Sequence, residues 1–454
     1  MNMLIQRFFS VSWIGLVLTS CLFPAELLGA DQELPNIVMI FSDDQGMNDL
    51  SCYGSEIQTP VLDRFANQGL RFTQFYAASS ICTPSRYGLF TGRHAHRSED
   101  KLTSALMFLD SEDAGRGLRS SEVTYVERLR DRGYRTSLVG KWHLGHGQKE
   151  FWPTRHGFEV FFGHTGGCVD FFTLRYGNRP DWYRNEEIET PQGYATDVIT
   201  QEAISEIKRL NQDDAPFYLH LSYNAPHFGK AWNAVTEETQ NVMQPKPNDL
   251  IRVEETLDPL RRSFAAKVVG LDTSIGQVLD VLDRLGIADQ TLVIFMTDHG
   301  GDPKYGGSNL PFRGQKATLY EGGIRVPCLV RWPGKIKAGR VTDQVAWAID
   351  WNATLMDLCD GVSDPMSDGK SILPVLFGES LSEEEAGRTL IWKTGAHQQL
   401  GRQSWAAVRK GDWKWVRPPE QSAELYDLGS DPYETTDLSR QYPEVVEQLE
   451  LLAR

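Results

Sequence analysis

The sequence lacks an excess of positive charge. Lys plus Arg number 46 against 61 Asp plus Glu, a net charge of −15 over 454 residues. Such a chain is a poor candidate for wrapping nucleic acid or lying on anionic lipid. A small basic pocket for an anionic substrate stays open. Internal repeats and low-complexity tracts are also absent. With 41% hydrophobic, 24% charged and 11% aromatic residues, the composition is that of an ordinary folded enzyme. Disorder, collagen and coiled coil are set aside. No apolar run is long enough to cross a membrane. Residues 8–25 carry no charge, between Arg7 and Glu26, but the apolar part, Phe8 to Leu18, is short and interrupted by Ser10 and Ser12. Residues 1–30 read as a secretory signal, with cleavage after Ala30. A second reading is Leu18-Thr19-Ser20-Cys21, which looks like a bacterial lipoprotein box and would leave a lipid on Cys21. Both readings describe an exported protein, secreted or periplasmic, with no transmembrane span in the mature chain.

Cysteine is scarce as well: Cys21, Cys52, Cys82, Cys168, Cys328 and Cys359. Loss of the signal leaves an odd number, so the thiols cannot all pair within the chain. An unpaired cysteine in an exported protein is a candidate for chemistry. For most of these the expectation is a buried free thiol.

Strand and helix patterns alternate along most of the chain. Asn36–Ser42, Tyr134–Gly140, Phe217–Ser222, Thr291–Thr297 and Val326–Arg331 are short apolar runs that suit buried strands. Thr59-Pro60 opens a helix that Gly69 should stop, and Thr124 opens another ending at Gly133. Thr196–Leu210 carries Ile199, Ala203, Ile207 and Leu210 on one stripe. Leu257–Leu285 is a long helical stretch with a break expected near Gly270. The fold class is therefore α/β, a large mostly parallel sheet sandwiched by helices, over residues 33–368. From 369 to 454 short aromatic strands (TLIWK, SWAAVRK, WKWVR) and a final helix near Pro443–Leu452 predict a smaller antiparallel sheet packed with one helix.

In open α/β sheets, ligands bind outside the carboxyl ends of the strands. Four predicted strands end in chemistry there: Asp43-Asp44-Gln45-Gly46, Lys141-Trp142-His143, Ala225-Pro226-His227, and Asp298-His299-Gly300. Asp43, Asp44 and Asp298 would gather three carboxylates, which resist joint ionisation unless a cation offsets them. Oxygen ligands suggest calcium or magnesium. Taken alone, Asp-Asp-Gln-Gly is equally a turn.

The sharpest segment runs Cys82-Thr83-Pro84-Ser85-Arg86 to Leu89-Phe90-Thr91-Gly92-Arg93. Pro84 suits a helix start and Gly92 a stop. Cys82 would sit at the helix N-terminus, where free N–H groups favour an anion, with Arg86 beside it. A thiolate there would be a nucleophile; a buried structural cysteine is the plainer reading.

Cys-x-Pro-Ser-Arg followed by Leu-Phe-Thr-Gly-Arg resembles the signature of type I sulfatases, of the arylsulfatase and N-acetylgalactosamine-6-sulfatase kind, with the alkaline phosphatase superfamily fold. Asp43-Asp44-Gln45-Gly46, Gly140-Lys141-Trp142-His143-Leu144-Gly145, Ala225-Pro226-His227, Lys316–Pro327 and Glu424–Leu428 resemble the family in the same order, so the likeness spans about residues 35–435. The resemblance implies that a maturation enzyme, formylglycine-generating or the anaerobic kind, oxidises Cys82 to Cα-formylglycine. Its hydrate attacks the sulfur of a sulfate monoester, and its second hydroxyl then expels sulfate by elimination. Asp43, Asp44, Asp298, His299 and the residue-82 oxygen would hold one divalent cation. Arg86 would offset the carboxylates and position the diol. His143 would be the base for elimination. Lys141 shares its loop, and His227 and Lys316 would contact the ester oxygen and the sulfate, one of them protonating the leaving group.

Many family members carry Asp-Asn where this chain has Asp298-His299. Imidazole is a softer donor, yet the remaining ligands are oxygens, so calcium is the expected ion and magnesium the alternative. A second metal would need an Asp-x-x-x-His supply, which the chain lacks. Two other readings stand beside a sulfatase: a formylglycine-dependent phosphonate or phosphate monoester hydrolase, and a non-catalytic sulfated-glycan binder. Phe171, Phe172, Tyr176, Trp182 and Tyr183 are expected to wall the pocket, with His164, Asp170 and Arg325 as candidate substrate contacts. Export favours a sulfated carbohydrate over a free aryl sulfate as the natural target.

Overall fold

Apolar strands that read as continuous rather than alternating must be covered on both faces, and the computed structural model has them so. It describes residues 34–360, 365–396 and 403–453, so the signal and lipoprotein readings at the amino terminus lie outside the described residues. Strand Asn36–Asp43 is at the middle of a ten-stranded sheet. Thr291–Thr297 lies on one side of it; Phe217–Pro226, Arg135–Lys141 and Val160–His164 follow on the other. These five strands are all parallel, with Ile37 opposite both Tyr218 and Leu292. Their carboxyl ends therefore share one edge.

The flanks depart from a parallel sheet. Cys328–Arg331 pairs antiparallel with Thr291–Thr297, and Leu70–Phe72 antiparallel with it in turn. At the far side Tyr183–Arg184 and Glu187–Ile188 also run antiparallel. The sheet is mixed, with its parallel part in the centre.

One face packs on helices Pro60–Asn67, Ala195–Leu210 and Pro259–Leu285. There Val38, Ile40, Leu219 and Leu221 meet Ile199, Ile207, Phe264 and Val268 in one buried cluster. The other face presents Phe41, Tyr218 and His220 to Phe90, Tyr125 and Phe158, beneath helices Cys82–Thr91 and Tyr125–Asp131.

Several local expectations need correction. The long helix Pro259–Leu285 does not break at Gly270. The missing side chain there makes room for the Asp249 carboxylate, so the glycine is a packing device. Helix Pro60–Asn67 ends without a left-handed Gly69; a Cβ at 69 would overlap the Val330 carbonyl. Thr59 caps no helical N–H with its side chain. Its hydroxyl instead accepts from the Ser51 amide at 3.0 Å. The helix after residue 81 starts at Cys82 rather than Pro84, which lies in the first turn where a missing N–H costs little. Thr124 does cap its helix, in a capping box with Glu127.

The carboxyl-terminal strands Thr389–Lys393, Ala406–Lys410, Trp413–Arg417 and Glu424–Asp427 form an antiparallel sheet, closed by helix Pro443–Leu452 over Val408, Trp415, Leu425 and Leu449. A buried ion cluster ties it to the segment after Lys316: Lys414 Nζ donates to Glu321 at 2.8 Å and stands 2.8 Å from Glu434.

Two glycines shape the catalytic edge. Gly140 has φ +114° and abuts the Ser222 carbonyl; Gly163, its neighbour in register, has φ +152° and abuts the Gly140 carbonyl. Neither position has room for a Cβ, and a positive φ breaks the alternation of faces just before Lys141. Gly140→Ala is expected to cost roughly 3 kcal/mol and to lower the urea midpoint; an unchanged midpoint would contradict this close packing. Lys414→Met should cost about 3–5 kcal/mol, because it strands two buried carboxylates. Thermal melts would check this, and a loss below about 1 kcal/mol would mean that the pair is not held as described.

Candidate active site

Four of the five parallel strands deliver a candidate side chain within a residue or two of their ends. Asp43 closes the first strand. Its Oδ2 accepts from Lys141 Nζ at 2.7 Å, and Arg86 stands 3.8 Å from Oδ1, which has no hydrogen-bond partner. Asp44 turns the chain with φ +62°. Its amide donates to Asp298 Oδ1 at 3.1 Å, and both carboxylate oxygens accept from Lys316 Nζ at 2.6 Å. His299 Nε2 is 3.3 Å and His227 Nε2 3.5 Å from the same carboxylate.

Cys82 is the first residue of its helix and is buried. Its Sγ stands where the oxygens of an oxidised, hydrated residue 82 would lie. That atom is 3.1 Å from His299 Nε2. Ser85, one turn on, donates to the Asp298 carbonyl at 2.5 Å and so ties the helix start to the strand end. Arg86 is wholly buried: it donates to Ser222 Oγ at 2.7 Å and the Lys141 carbonyl at 3.3 Å, lies 3.4 Å from Asp298 and stacks 5.0 Å over Phe41.

His143 follows Lys141 with φ +63°. Its Nε2 lies 2.9 Å from the Leu106 carbonyl, which can only accept. The ring proton therefore belongs on Nε2, and Nδ1, buried without a partner, keeps its lone pair. Burial, followed by the Lys141 charge, holds this imidazole below its ordinary value and so neutral.

Other ionisations follow from burial and neighbours. Burial pushes Asp44 up to about 7, against the pull of Lys316 and His299. Burial opposes an imidazolium at His299, but Asp298 and Cys82 outweigh it and lift the group to about 9. Burial also resists a thiolate at Cys82, yet Lys141, Lys316 and His299 hold that thiol well below its usual range. Burial, then Lys316 and Lys141, keeps His227 neutral.

The residues present suit a metal ion. Among the described residues, Asp43, Cys82, Asp298 and His299 offer ligand atoms all within 4.8 Å of one another, and so do Asp43, Asp44, Cys82 and His227. Asp43 Oδ1 is an orphaned buried acceptor. His299 Nδ1 lies 3.0 Å from the Gly300 carbonyl and must donate to it, which turns the Nε2 lone pair toward the carboxylates.

The structure thus brings together Asp43, Asp44, Cys82, Arg86, Lys141, His143, His227, Asp298, His299 and Lys316. Three other candidates have different surroundings. His164 ends its strand beside Lys141, wholly buried, with Nδ1 3.1 Å from the Gly166 carbonyl and its ring against Trp182; burial holds it at about 3. Asp170 spends Oδ1 on the amides of Phe172 and Thr173 and Oδ2 on Gln244, so it organises a turn. Arg325 donates to the Thr73 carbonyl, pairs with Glu321 at 3.3 Å and stacks on Phe312, away from the cluster. Of the expected pocket walls, Phe171 and Trp182 are core residues, Tyr183 packs on Trp152, and Tyr176 is half-buried against Phe108.

Lys267 escaped the sequence reading. It sits on the buried stripe of the long helix between Phe264 and Leu271, where a lysine is out of place, and that misplacement was the available signal. Its Nζ donates to the His227 carbonyl at 2.5 Å and lies 3.2 Å above the Phe171 ring.

Comparison with known proteins agrees with this geometry. The family model described as Sulfatase matches residues 35–362, and one described as N-sulphoglucosamine sulphohydrolase, C-terminal, matches 314–452. Human N-acetylgalactosamine-6-sulfatase is 34% identical over 84% of this chain and 75% of its own length. The N-acetylgalactosamine-6-O-sulfatase of Bacteroides thetaiotaomicron is 29% identical over 93% of each chain. The crystal structure of Ps i-CgsB in complex with k-i-k-neocarrahexaose superposes with a TM-score of 0.81 at 26% identity, covering 92% of this chain and 91% of that one. A sheet that ends four of its five central parallel strands in one charged cluster, and a family model that runs through all of them, place this chain in the sulfatase family of the alkaline phosphatase superfamily.

Proposed function

We propose that the protein hydrolyses sulfate monoesters on sulfated carbohydrates, through Cα-formylglycine made from Cys82 and one divalent cation. The observation that carries this is the position of Cys82. It is at the first turn of a buried helix, with its Sγ among the ligand atoms of Asp43, Asp298 and His299 and 3.1 Å from His299 Nε2. The relatives' names supply the substrate class: two are N-acetylgalactosamine 6-sulfatases, and the solved neighbour is described with a neocarrahexaose.

The residues divide the work by charge and proton position. Asp43, Asp44, Asp298 and His299 would hold the cation, which supplies Lewis acidity toward the sulfate oxygens and the attacking hydroxyl. Formylglycine supplies a hydrated carbonyl whose one hydroxyl attacks and whose other expels sulfate on losing its proton. His143 takes that proton at Nδ1, the ring atom left with a lone pair by the Leu106 contact. Arg86 offsets Asp43 and Asp298 from behind. Lys141 neutralises Asp43, and Lys316 stands over Asp44 on the open side. For the leaving oxygen, Lys316 is the better proton donor. His227 commits Nδ1 to the Phe228 carbonyl at 2.9 Å, so a proton on Nε2 would require the imidazolium that burial disfavours.

Calcium suits the three carboxylates better than a softer metal, and His299 is the one nitrogen ligand. Export is inferred from residues 1–30. The maturation enzyme must reach Cys82 before the fold closes, because the thiol is only 3% exposed afterwards. Among the described residues no helix is long and apolar enough to cross a membrane.

Matured protein should release sulfate from 4-nitrophenyl sulfate far faster than phosphate from 4-nitrophenyl phosphate, and its Cys82 peptide should be lighter than plain cysteine predicts. A strong phosphate preference would instead support a phosphate or phosphonate monoester hydrolase; unmodified Cys82 with no turnover would support a glycan binder. His143→Ala should lower kcat by about 10²–10⁴ and KM with it, since only the sulfate-expelling step slows, and an unaltered kcat would remove His143 as the base. Calcium binding should be pH-dependent. Asp44 and His299 carry protons below about 7 and about 9 respectively, and the ion must displace them. The affinity should rise roughly tenfold per pH unit between those values and more steeply below them. Calorimetry in two buffers of different protonation enthalpy would detect the released protons; a flat profile would reject this ligand set.

A further inference from the structure

His227 begins a wall that runs outward from the charged cluster. Its ring stacks on Phe228, centroids 4.0 Å apart, and Phe228 stacks on Tyr305 at 4.2 Å. The chain then enters the hairpin of strands Gly229–Asn233 and Glu238–Val242. Lys230 lies two residues beyond Phe228, opposite Asn241 in register, and Asn241 Nδ2 donates to the Tyr305 hydroxyl at 2.8 Å. The Lys230 backbone accepts from the Gly177 amide at 2.9 Å, which fixes the hairpin beside Tyr176. Its Nζ stands between two rings, 5.4 Å from Tyr176 and 5.7 Å from Phe228. Tyr176 packs on Phe108 at 4.8 Å, so the aromatic collar continues past the lysine.

The surroundings of this ammonium differ from those of half-buried Lys246 and of the buried lysines. Lys141, Lys246, Lys316 and Lys414 each sit on a carboxylate, and Lys267 sits on a carbonyl. Around Lys230 the described residues offer ring faces and no carboxylate at ion-pair distance. In a protein with net charge −15, a partly buried cation without a counter-ion is a place for an external anion. Flat ring faces on either side suit the apolar face of a sugar. The Cys168 thiol senses both Lys230 and Lys141, in keeping with a position next to the reacting centre.

We propose that Lys230 binds a second anionic group of the substrate, on the sugar that bears the scissile ester or on its neighbour. The substrate class is then a polyanionic saccharide rather than a neutral sugar with a single sulfate. This rests on the sulfatase reading above. The anion is a carboxylate or a sulfate, which an ammonium accepts equally well, and two substrates separate the sources: a disulfated sugar, and a sulfated sugar linked to a uronate.

The test compares kcat/KM for each of these with that for the matching monosulfated sugar, in the natural protein and in Lys230→Gln. The natural protein should favour one dianionic substrate by roughly tenfold, Lys230→Gln should lose that ratio, and Lys230→Arg should keep most of it. Calorimetric binding of the same dianionic sugars is measured in a Cys82→Ala background, where Lys230→Gln should weaken the affinity by a similar factor. If both the turnover ratio and the binding are indifferent to Lys230→Gln while sulfate is released normally, this proposal is overturned and the sulfatase reading stands. If no sulfate ester is hydrolysed but Lys230→Gln still weakens binding, the hydrolase reading fails and the anion site stands.

Discussion

Everything at the catalytic edge follows from packing three carboxylates into a space that water does not reach. Asp43 and Asp298 are wholly buried and Asp44 almost so. Unpaired, such a group would cost several kcal/mol or take up a proton. Arg86, Lys141 and Lys316 answer them charge for charge, and the first two are as deeply buried as their partners. These cations arrive from a helix, a strand two places along the sheet and a distant loop, so the cluster cannot form until those elements have come together. It also dictates backbone cost. Asp44, His143 and Ala317, the residue after Lys316, all take left-handed φ without being glycine. Residues in that region cost of order 1–3 kcal/mol each and persist only when their surroundings hold them. Here Lys316 holds Asp44, the Leu106 carbonyl holds the His143 ring, and the Ser80 carbonyl accepts from the Ala317 amide.

The same logic reassigns a motif. Lys316 and Arg325 both read in sequence as candidate substrate contacts, but the segment has two ends with different jobs. Lys316 reaches Asp44. Glu321 turns the other way, accepting from Tyr76 at 2.6 Å and from Lys414 at 2.8 Å, with Arg325 at 3.3 Å. Burial resists a charge on Glu321, but Lys414, Arg325 and Arg409 hold it down at about 2. Burial pushes its neighbour Glu434 up to about 7 instead. The carboxyl-terminal sheet therefore meets the segment that presents Lys316 at several points, through Lys414 on Glu321 and through Glu424, which accepts from Tyr320 and Arg313.

Much of this was legible in the residues because the chemistry is tied to regular structure. A buried parallel strand announces itself as an apolar run, its end is a fixed place, and Asp43, Lys141, His227 and Asp298 stand at such ends. The helix start at Cys82 was legible to within two residues. What the sequence hid depends on contacts between elements. The antiparallel flanks could not be told from parallel ones by period. Gly270 looked like a helix breaker because its reason for being small, the Asp249 carboxylate, comes from another element. Asp170 and Arg325 looked free for substrate because partners such as Gln244 and the Thr73 carbonyl come from other parts of the fold. Lys267 carried a signal, a lysine on an apolar stripe, that no rule of strand ends would flag.

Reaction and recognition occupy physically different ground. The reacting cluster is dry, strained and balanced to the last charge, and a substitution there disturbs several partners at once. The collar beyond His227 is half-exposed, built on a two-stranded hairpin and a short turn, and Lys230 can be exchanged without stranding a buried partner. A surface of that kind can vary while the sheet edge stays fixed, so one set of ions and strand ends can serve esters on different sugars. That separation is also why the residues name a reaction more readily than a substrate. The reaction is enforced by burial, which leaves a pattern in the chain, whereas recognition is set by a few exposed rings and one ammonium whose meaning appears only when the hairpin is folded beside them.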